Sequence, residues 1–342
     1  MARFDPDRYS RQTRFAPLGP EGQAKLASAR VAVLGCGALG AASAMALVRA
    51  GVGFVRLVDR DVPEPSNLPR QVLFDEADVA AGLPKAVAAA RQLSRINSDA
   101  VFEPIVADLT PANAVGLLAG VDGIVDGTDN LEARYLVNEV ACRSRTPWVH
   151  GGAIGAEGRV LTVIPGRTAC LRCLVPEPPP PGTLPTCDTA GIIGPAALVV
   201  GAVQAAEVIK LLTGEAEATA GRMLACDLWA FQWRVVDLAP LAAAGCPTCR
   251  AGDAPWLEGR HGGAATPLCG RDAVQVAAGG GRVDLPALAA RLAGVATVTA
   301  NEWLLRAEVE PGIRLSVFAD GRAIVDGTSD PIRGRAIVAR YL

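Results

Sequence analysis

From Arg30 onward, short apolar runs alternate with stretches whose apolar positions recur every three or four residues, the pattern of strands and helices in turn. Val31 to Leu34 reads as a buried strand, followed by a helix from about Ala38 to Ala50, with Gly51 where a left-handed cap is wanted. Phe54 to Val58 is a second strand, ending at Asp59. Prolines and charges fill Asp61 to Asp78, after which Pro84 to Ile96 has helical spacing, with Pro84 suited to the first helical position. Val101 to Val106 and Gly123 to Val125 supply two more strands, and Leu131 to Ser144 a helix. Pro147 to Val149 returns to strand before the glycine-rich Gly151-Gly152-Ala153-Ile154-Gly155, and Arg159 to Ile164 is a further strand. This alternation predicts an α/β fold: a Rossmann-like, doubly wound, mainly parallel sheet with helices on both faces and an added antiparallel strand region.

Between Cys173 and Gly194 a run of prolines excludes helix and central strand, because proline lacks an amide donor and fixes its own φ; an exposed, mobile loop is expected. A helix from about Pro195 to Leu212 follows, stopped by Gly214. It is apolar, but Gln204, Glu207 and Lys210 mark it as a buried helix with one wet edge rather than a membrane span. Gly252 to Thr266, rich in Gly and Ala and without hydrophobic period, divides the chain. Residues 1–252 are expected as one domain, 253–265 as a linker and 266–342 as a small α+β domain. In that last unit Asp284 caps a helix, Val295–Thr299, Leu304–Val309 and Arg314–Phe318 read as strands, Asp320-Gly321 as a hairpin turn, and Thr328–Tyr341 as a closing helix.

Composition narrows the function classes. With 342 residues, 50% of them hydrophobic and 20% charged, the chain is globular. A net charge of -2 and a pI near 5.8 give no broad attraction to phosphate backbones, so no nucleic-acid partner is expected. The charged start, Met1 to Arg8, lacks the apolar core of a signal peptide, and a cytoplasmic protein without a membrane partner is expected. Nine cysteines then direct attention to metal or thiol chemistry rather than disulfides.

Gly35-Cys36-Gly37-Ala38-Leu39-Gly40 follows a strand and opens a helix, so its amides and the helix dipole can receive a phosphate. Asp59, 24 positions after Gly35, ends the second strand where a carboxylate can accept hydrogen bonds from a ribose. A merely tight strand–helix turn would read the same way, and the fingerprint also serves dinucleotide enzymes. Arg11, Arg70 and Lys85, all in segments flanking the loops, favour a triphosphate, since each cation at about 4 Å contributes about 4 kcal/mol at an intermediate dielectric. Asp126 and Asp129 end a strand at the edge where ligands bind; Asp129 is the better candidate for magnesium, or it caps the helix that starts near Leu131.

Two Cys-x-x-Cys knuckles, Cys170/Cys173 and Cys246/Cys249, offer the four thiolates of a structural zinc site, with 72 residues between them; a redox pair is the competing reading. Cys187 stands just before a helix, placed for a thiolate nucleophile or there by accident.

These residues together resemble the ThiF, MoeB and HesA family of bacterial ubiquitin-activating-enzyme-like adenylyltransferases over about residues 7 to 250. The match rests on Tyr9-Ser-Arg-Gln12, the glycine loop, Asp59-Arg-Asp61, Ser66-Asn-Leu-Pro-Arg-Gln71, Gly82-Leu-Pro-Lys85, Gly127-Thr-Asp-Asn130, the four paired cysteines and Thr186-Cys187. The resemblance implies that the glycine loop, including Ala38, together with Asp61, Asn67, Gln71 and Asn130, lines an ATP site. It implies Asp59 on the ribose, Arg70 and Lys85 on the phosphates, Asp129 on Mg2+, and Zn2+ on the cysteines. Arg11 would reach the site of a second protomer in a homodimer, and the tail of a ubiquitin-like carrier ending in Gly-Gly would lie under the Cys187 loop. The adenylated carrier would then meet a sulfur donor, a cysteine desulfurase or sulfurtransferase, on a thiamine, molybdopterin or other thiolation route. Ala38 departs from the further glycine of many relatives, and residues 266–342 do not match the sulfurtransferase domain fused to some of them. A nicotinamide-dependent oxidoreductase and a non-enzymatic adaptor for a ubiquitin-like protein are the alternative readings.

Overall fold

The computed structural model describes residues 4–179, 183, 187–218, 221–242, 245–261, 265–267, 272–276 and 282–342. Residues 180–182 and 184–186 of the proline-rich loop expected to be mobile, Thr186 among them, and Cys269 lie outside the described residues. The chain separates into two compact units, Met1–His261 and Gly262–Leu342.

In the first unit the elements run α1 (Gly19–Ser28), β1 (Arg30–Leu34), α2 (Ala38–Arg49), β2 (Phe54–Val58), α3 (Glu76–Ala81), α4 (Lys85–Ile96), β3 (Val101–Ile105), α5 (Ala114–Leu117), β4 (Gly123–Asp126), α6 (Leu131–Ser144) and β5 (Trp148–Ile154). They continue with β6 (Glu157–Val163), α7 (Leu171–Leu174), α8 (Cys187–Ala190), α9 (Gly194–Thr213), β7 (Arg222–Asp227), β8 (Gln232–Asp237) and α10 (Ala239–Ala242). One eight-stranded sheet has the order β3-β2-β1-β4-β5-β6-β7-β8. The first five strands pair in parallel and the last three antiparallel. Strand order reverses between β1 and β4, the crevice where open α/β sheets take ligands.

Two cores flank the sheet. On one face α1, α2, α4 and α9 pack over Val31, Val33, Val55, Leu57, Val125 and Val149; on the other, α5, α6 and α7 cover Ala32, Leu34, Ile124 and Trp148. The alternation along β1 explains why its apolar run has no polar side: both faces are buried.

Helix α9 is long and apolar enough to cross a membrane, yet it is a core helix. A Cβ at Gly201 would fall 2.5 Å from the Ala42 Cβ, so α2 and α9 approach at backbone distance. Gln204, wholly buried, donates to the main-chain oxygens of Asp126 (2.7 Å) and Val149 (3.1 Å) and accepts from Ser43 Oγ (3.2 Å). Glu207 accepts from Thr162 at 3.0 Å. Gln204 and Glu207 thus face the sheet that α9 packs on, while Lys210 is partly exposed and pairs with Glu207.

Three expectations needed correction. The strand expected over Pro147 to Val149 runs on through the glycines to Ile154; Gly151 is there because a Cβ would strike the Gln204 carboxamide at 2.5 Å. Pro84 is the N-cap of α4 rather than its first residue. Residues 253–261, expected as linker, pack into the first unit. Trp256 stacks on Tyr135 at 4.3 Å, Leu257 N donates to Glu139 at 2.8 Å, and Arg172 donates to Asp253 at 3.0 Å. One tryptophan anchors this stretch, so no period announces it. The hairpin β7–β8 also went unseen, because every residue of β8 is exposed and carries no alternation.

In the second unit, β9 (Ala265–Pro267), β10 (Ala273–Val276), α11 (Leu285–Leu292), β11 (Thr297–Ala300), β12 (Leu304–Glu310), β13 (Ile313–Phe318), β14 (Ala323–Asp326) and α12 (Pro331–Tyr341) form an antiparallel sheet of order β11-β12-β13-β14-β10-β9 with the two helices over it. Asp284 caps α11 by accepting from Ala287 N at 3.0 Å.

Replacing Trp256 by Ala is expected to cost about 3 kcal/mol in urea denaturation of the full chain, the scale of a buried aromatic truncation. A residue in a linker would change stability by less than about 0.5 kcal/mol.

Candidate functional site

The glycine turn is built from backbone touching backbone. Gly35 has φ +79°, a left-handed conformation costly for other residues, and a Cβ there would lie 2.7 Å from Gly127 O. A Cβ on Gly40 would collide with Gly35 O at 1.8 Å, and one on Gly127 would lie 2.7 Å from the same oxygen. The β1–α2 turn is therefore locked against the end of β4. Gly37 is different: a Cβ there would meet only Gln71 Nε2, at 3.9 Å, so nothing within the protein requires glycine. The N-terminus of α2 has no side-chain cap, and Gln71 Oε1 is buried without a partner beside it. Spare amides, an open cradle and an orphaned polar atom fit an anionic ligand such as a phosphate chain.

Asp59, 8% exposed, accepts from Cys36 N (2.6 Å) and Asp61 N (2.7 Å), which ties the end of β2 to the turn. Burial raises its carboxyl above the usual range, with Lys85 pulling the other way and Asp61 adding to the rise. Lys85, 4% exposed, points its Nζ at Asp61 Oδ2, 3.6 Å away. Arg70 is half-buried, with one amine on Ser66 O at 2.7 Å, and Pro69-Arg70 abuts Gly194 at the start of α9. The structure thus brings Gly35, Gly37, Asp59, Asp61, Gln71 and Lys85 together, with Arg70 in the segment beside them.

Asn67 accepts from Glu64 N (3.1 Å) and Asn130 from Ala133 N (2.7 Å); both act as caps, and it is Asn130, not Asp129, that starts α6. Asp129 is exposed, near Arg60. Burial works against the Arg60 charge, but Asp61, Asp108 and Asp129 hold it protonated. Arg11 is exposed at the other end of α2: its neighbours Tyr9 and Gln12 dock on Asn97, Gln23 and Ala50 O, about 18 Å of helix from the glycine turn. Within one chain it does not join the site. The Cys187 backbone opens the short α8.

Sequence reasoning missed one pair. Asp126, the last residue of β4, and His150, the third of β5, are register partners, with Nδ1 and Oδ2 2.7 Å apart. Asp126 Oδ1 also accepts from Thr128 N (2.9 Å) and Oγ1 (2.6 Å), and Arg134 Nε lies 3.8 Å from Oδ2. Burial opposes the Asp126 charge, yet His150, Arg134 and Thr128 hold its carboxyl below the usual range. The only signal in the sequence was that Asp126 and His150 each follow directly on an expected strand.

The four paired cysteines meet. Sγ separations are 3.7 Å (Cys170–Cys246), 3.8 Å (Cys170–Cys173) and 3.6 Å (Cys173–Cys249), and all four lie within 4.8 Å of one another. Sulfurs about 2.3 Å from one zinc sit about 3.8 Å apart at the corners of a tetrahedron, so the set fits that ion with no position left for substrate. Asn138, wholly buried, bridges the cluster by donating to Cys170 Sγ (3.6 Å) and accepting from Leu171 N (2.9 Å). Replacing Cys246 by Ser is expected to take bound zinc from about one ion per chain to near none and to lower the melting temperature, since such a site contributes on the order of 10 kcal/mol. Metal analysis and calorimetry on the same samples check both.

Comparison with known proteins agrees with this geometry. The model of the ThiF family matches residues 9–248. The sulfur carrier protein ThiS adenylyltransferase of Bacillus subtilis is 44% identical over 338 residues, 98% of this chain and 99% of that protein. The SAMP-activating enzyme E1 of Haloferax volcanii is 42% identical over 252 residues, 74% of this chain and 92% of that one. The crystal structure of E. coli MccB with ATP shares the fold, with a TM-score of 0.61 at 24% identity over 72% of this chain and 75% of that chain. On the extent of these matches, the chain belongs to the ThiF family.

Proposed function

We propose that this protein uses ATP to adenylate the C-terminal glycine of a ubiquitin-like sulfur carrier, preparing it for thiocarboxylate formation. The observation that carries the reading is the cradle at Gly37, with Gln71, Asp59 and Lys85 around it, in a chain that matches a ThiS adenylyltransferase from end to end.

Bound ATP with magnesium would supply an electrophilic α-phosphate and a pyrophosphate leaving group. The α2 amides and Gln71 receive the phosphates, Asp59 the ribose, and Asp129 the metal, with Ala38 and Gly40 shaping the turn. Arg70 and Lys85 neutralise charge that builds on the departing pyrophosphate. The carrier carboxylate needs no general base, being ionised already at neutral pH. Arg11 serves the partner protomer's site in a homodimer, which accounts for its place at the far end of α2. Cys187 lies beside the carrier tail, and a cysteine desulfurase or sulfurtransferase in the same cytoplasmic setting delivers sulfur. A protein substrate accords with the exposed aromatic edge formed by Trp229, Phe231 and Trp233 on the β7–β8 hairpin.

ATP–pyrophosphate exchange that depends on an added ThiS-type carrier ending in Gly-Gly is the direct test. Arg70→Ala and Lys85→Ala should each lower exchange by at least about 100-fold without lowering the melting temperature. Unchanged exchange in both variants would overturn the assignment. ATP with magnesium should raise the melting temperature and NAD should not; the reverse result would favour an oxidoreductase.

A further inference from the structure

Adenylation leaves a chemical problem that the residues assigned so far do not solve. A sulfhydryl with a pKa of about 8.5 is mostly protonated at pH 7, and it is the thiolate that attacks an acyl carbon. His150 stands at the rim where this step would occur: its register partner Asp126 leads directly into Gly127, which touches Gly35. Asp126 is wholly buried and ionised, so it can only accept. The imidazole must then donate from Nδ1 and keep its lone pair on Nε2. Nε2 makes no hydrogen bond among the described residues and faces the space over Gly152, where a Cβ would have that nitrogen, 3.9 Å away, as its nearest neighbour. The missing side chain at Gly152 leaves a gap beside the free lone pair. The charged groups facing the ring are Asp126 from β4, Arg134 from α6 and Arg159 from β6. Burial and the two arginines favour the neutral ring and Asp126 opposes them, with the net position below the usual histidine range.

We propose that His150, oriented by Asp126, is the proton acceptor for a sulfhydryl attacking the carrier's acyl adenylate, an assignment that rests on the adenylyltransferase reading. The S–H proton passes to Nε2 as the C–S bond forms. The C–O bond to the adenylate phosphate breaks, AMP leaves with the electron pair, and the imidazolium is held against Asp126. Nothing is oxidised or reduced. The sulfhydryl belongs either to an external donor or to Cys187.

In the test, enzyme is loaded with carrier, ATP and magnesium, then mixed with β-mercaptoethanol or with an aryl thiol that is already ionised at pH 7, and thioester formation is followed by mass spectrometry. A thioester on the enzyme before thiol is added, mapped to the peptide that holds Cys187, marks that residue as the source. With the alkyl thiol, the wild-type rate should level off above an acid limb lying below about pH 6.5. His150→Gln should slow that thiol by about 100-fold at pH 7 and the aryl thiol far less, because no proton then needs to be taken. A wild-type rate that climbs tenfold per pH unit up to the thiol's own pKa, or a variant that slows both thiols equally, overturns the proposal. Absence of carrier-dependent pyrophosphate exchange in the wild type would instead bring down the adenylyltransferase reading and this step with it.

Discussion

The close approach of three glycines, Gly35, Gly40 and Gly127, sets the geometry on which the site depends. Main chain from the β1–α2 turn lies against main chain at the end of β4, with no side chain between them to adjust. Any Cβ would force the strands apart or push α2 along its axis. Because α2 is itself packed at backbone distance on α9 through Gly201, such a shift would reach the helix that covers β4 and β5. The pocket is held by contacts that have almost no slack.

Gln204 extends that constraint to the sheet. Its carboxamide joins Ser43 of α2 to the main chain of β4 and β5, at Asp126, the buried acid, and at Val149, the residue before its histidine. Replacement by an apolar side chain would leave the carbonyls of Asp126 and Val149 without this donor in a dry interior, a cost of about 1–3 kcal/mol for each unmet group. One amide thus serves as the joint between nucleotide turn, central helix and strand ends. The cysteine cluster performs a comparable task at the opposite face, where it gathers α7, the segment after α10 and, through Asn138, helix α6.

Much of this was legible in the sequence, for a physical reason: regular burial leaves a periodic trace. Strands β1 and β2 and helices α2 and α6 have both flanks or one full face in a core, and their limits fell within a residue or two of the expected ones. The glycine turn and the paired cysteines were legible because their chemistry restricts spacing. What escaped reading had no period. Strand β8 is exposed throughout and exists by main-chain pairing with β7; residues 253–261 are fixed by Trp256; His150 matters through a neighbour 24 positions away that only the parallel register supplies. Arg11 shows the converse, a residue prominent as a motif yet placed at the end of α2 away from the turn.

The outer strand of the first unit carries a further consequence. Among the described residues β8 ends the sheet, with a row of main-chain donors and acceptors open on one side, next to Trp229, Phe231 and Trp233. Such an edge is adhesive toward any extended chain, copies of itself included, and only Arg234 and Asp237 along it supply charge that discourages pairing. Colloidal behaviour is therefore coupled to occupancy: a partner covering these rings would also act as their solubiliser, and a preparation without one would carry the bare edge into every encounter.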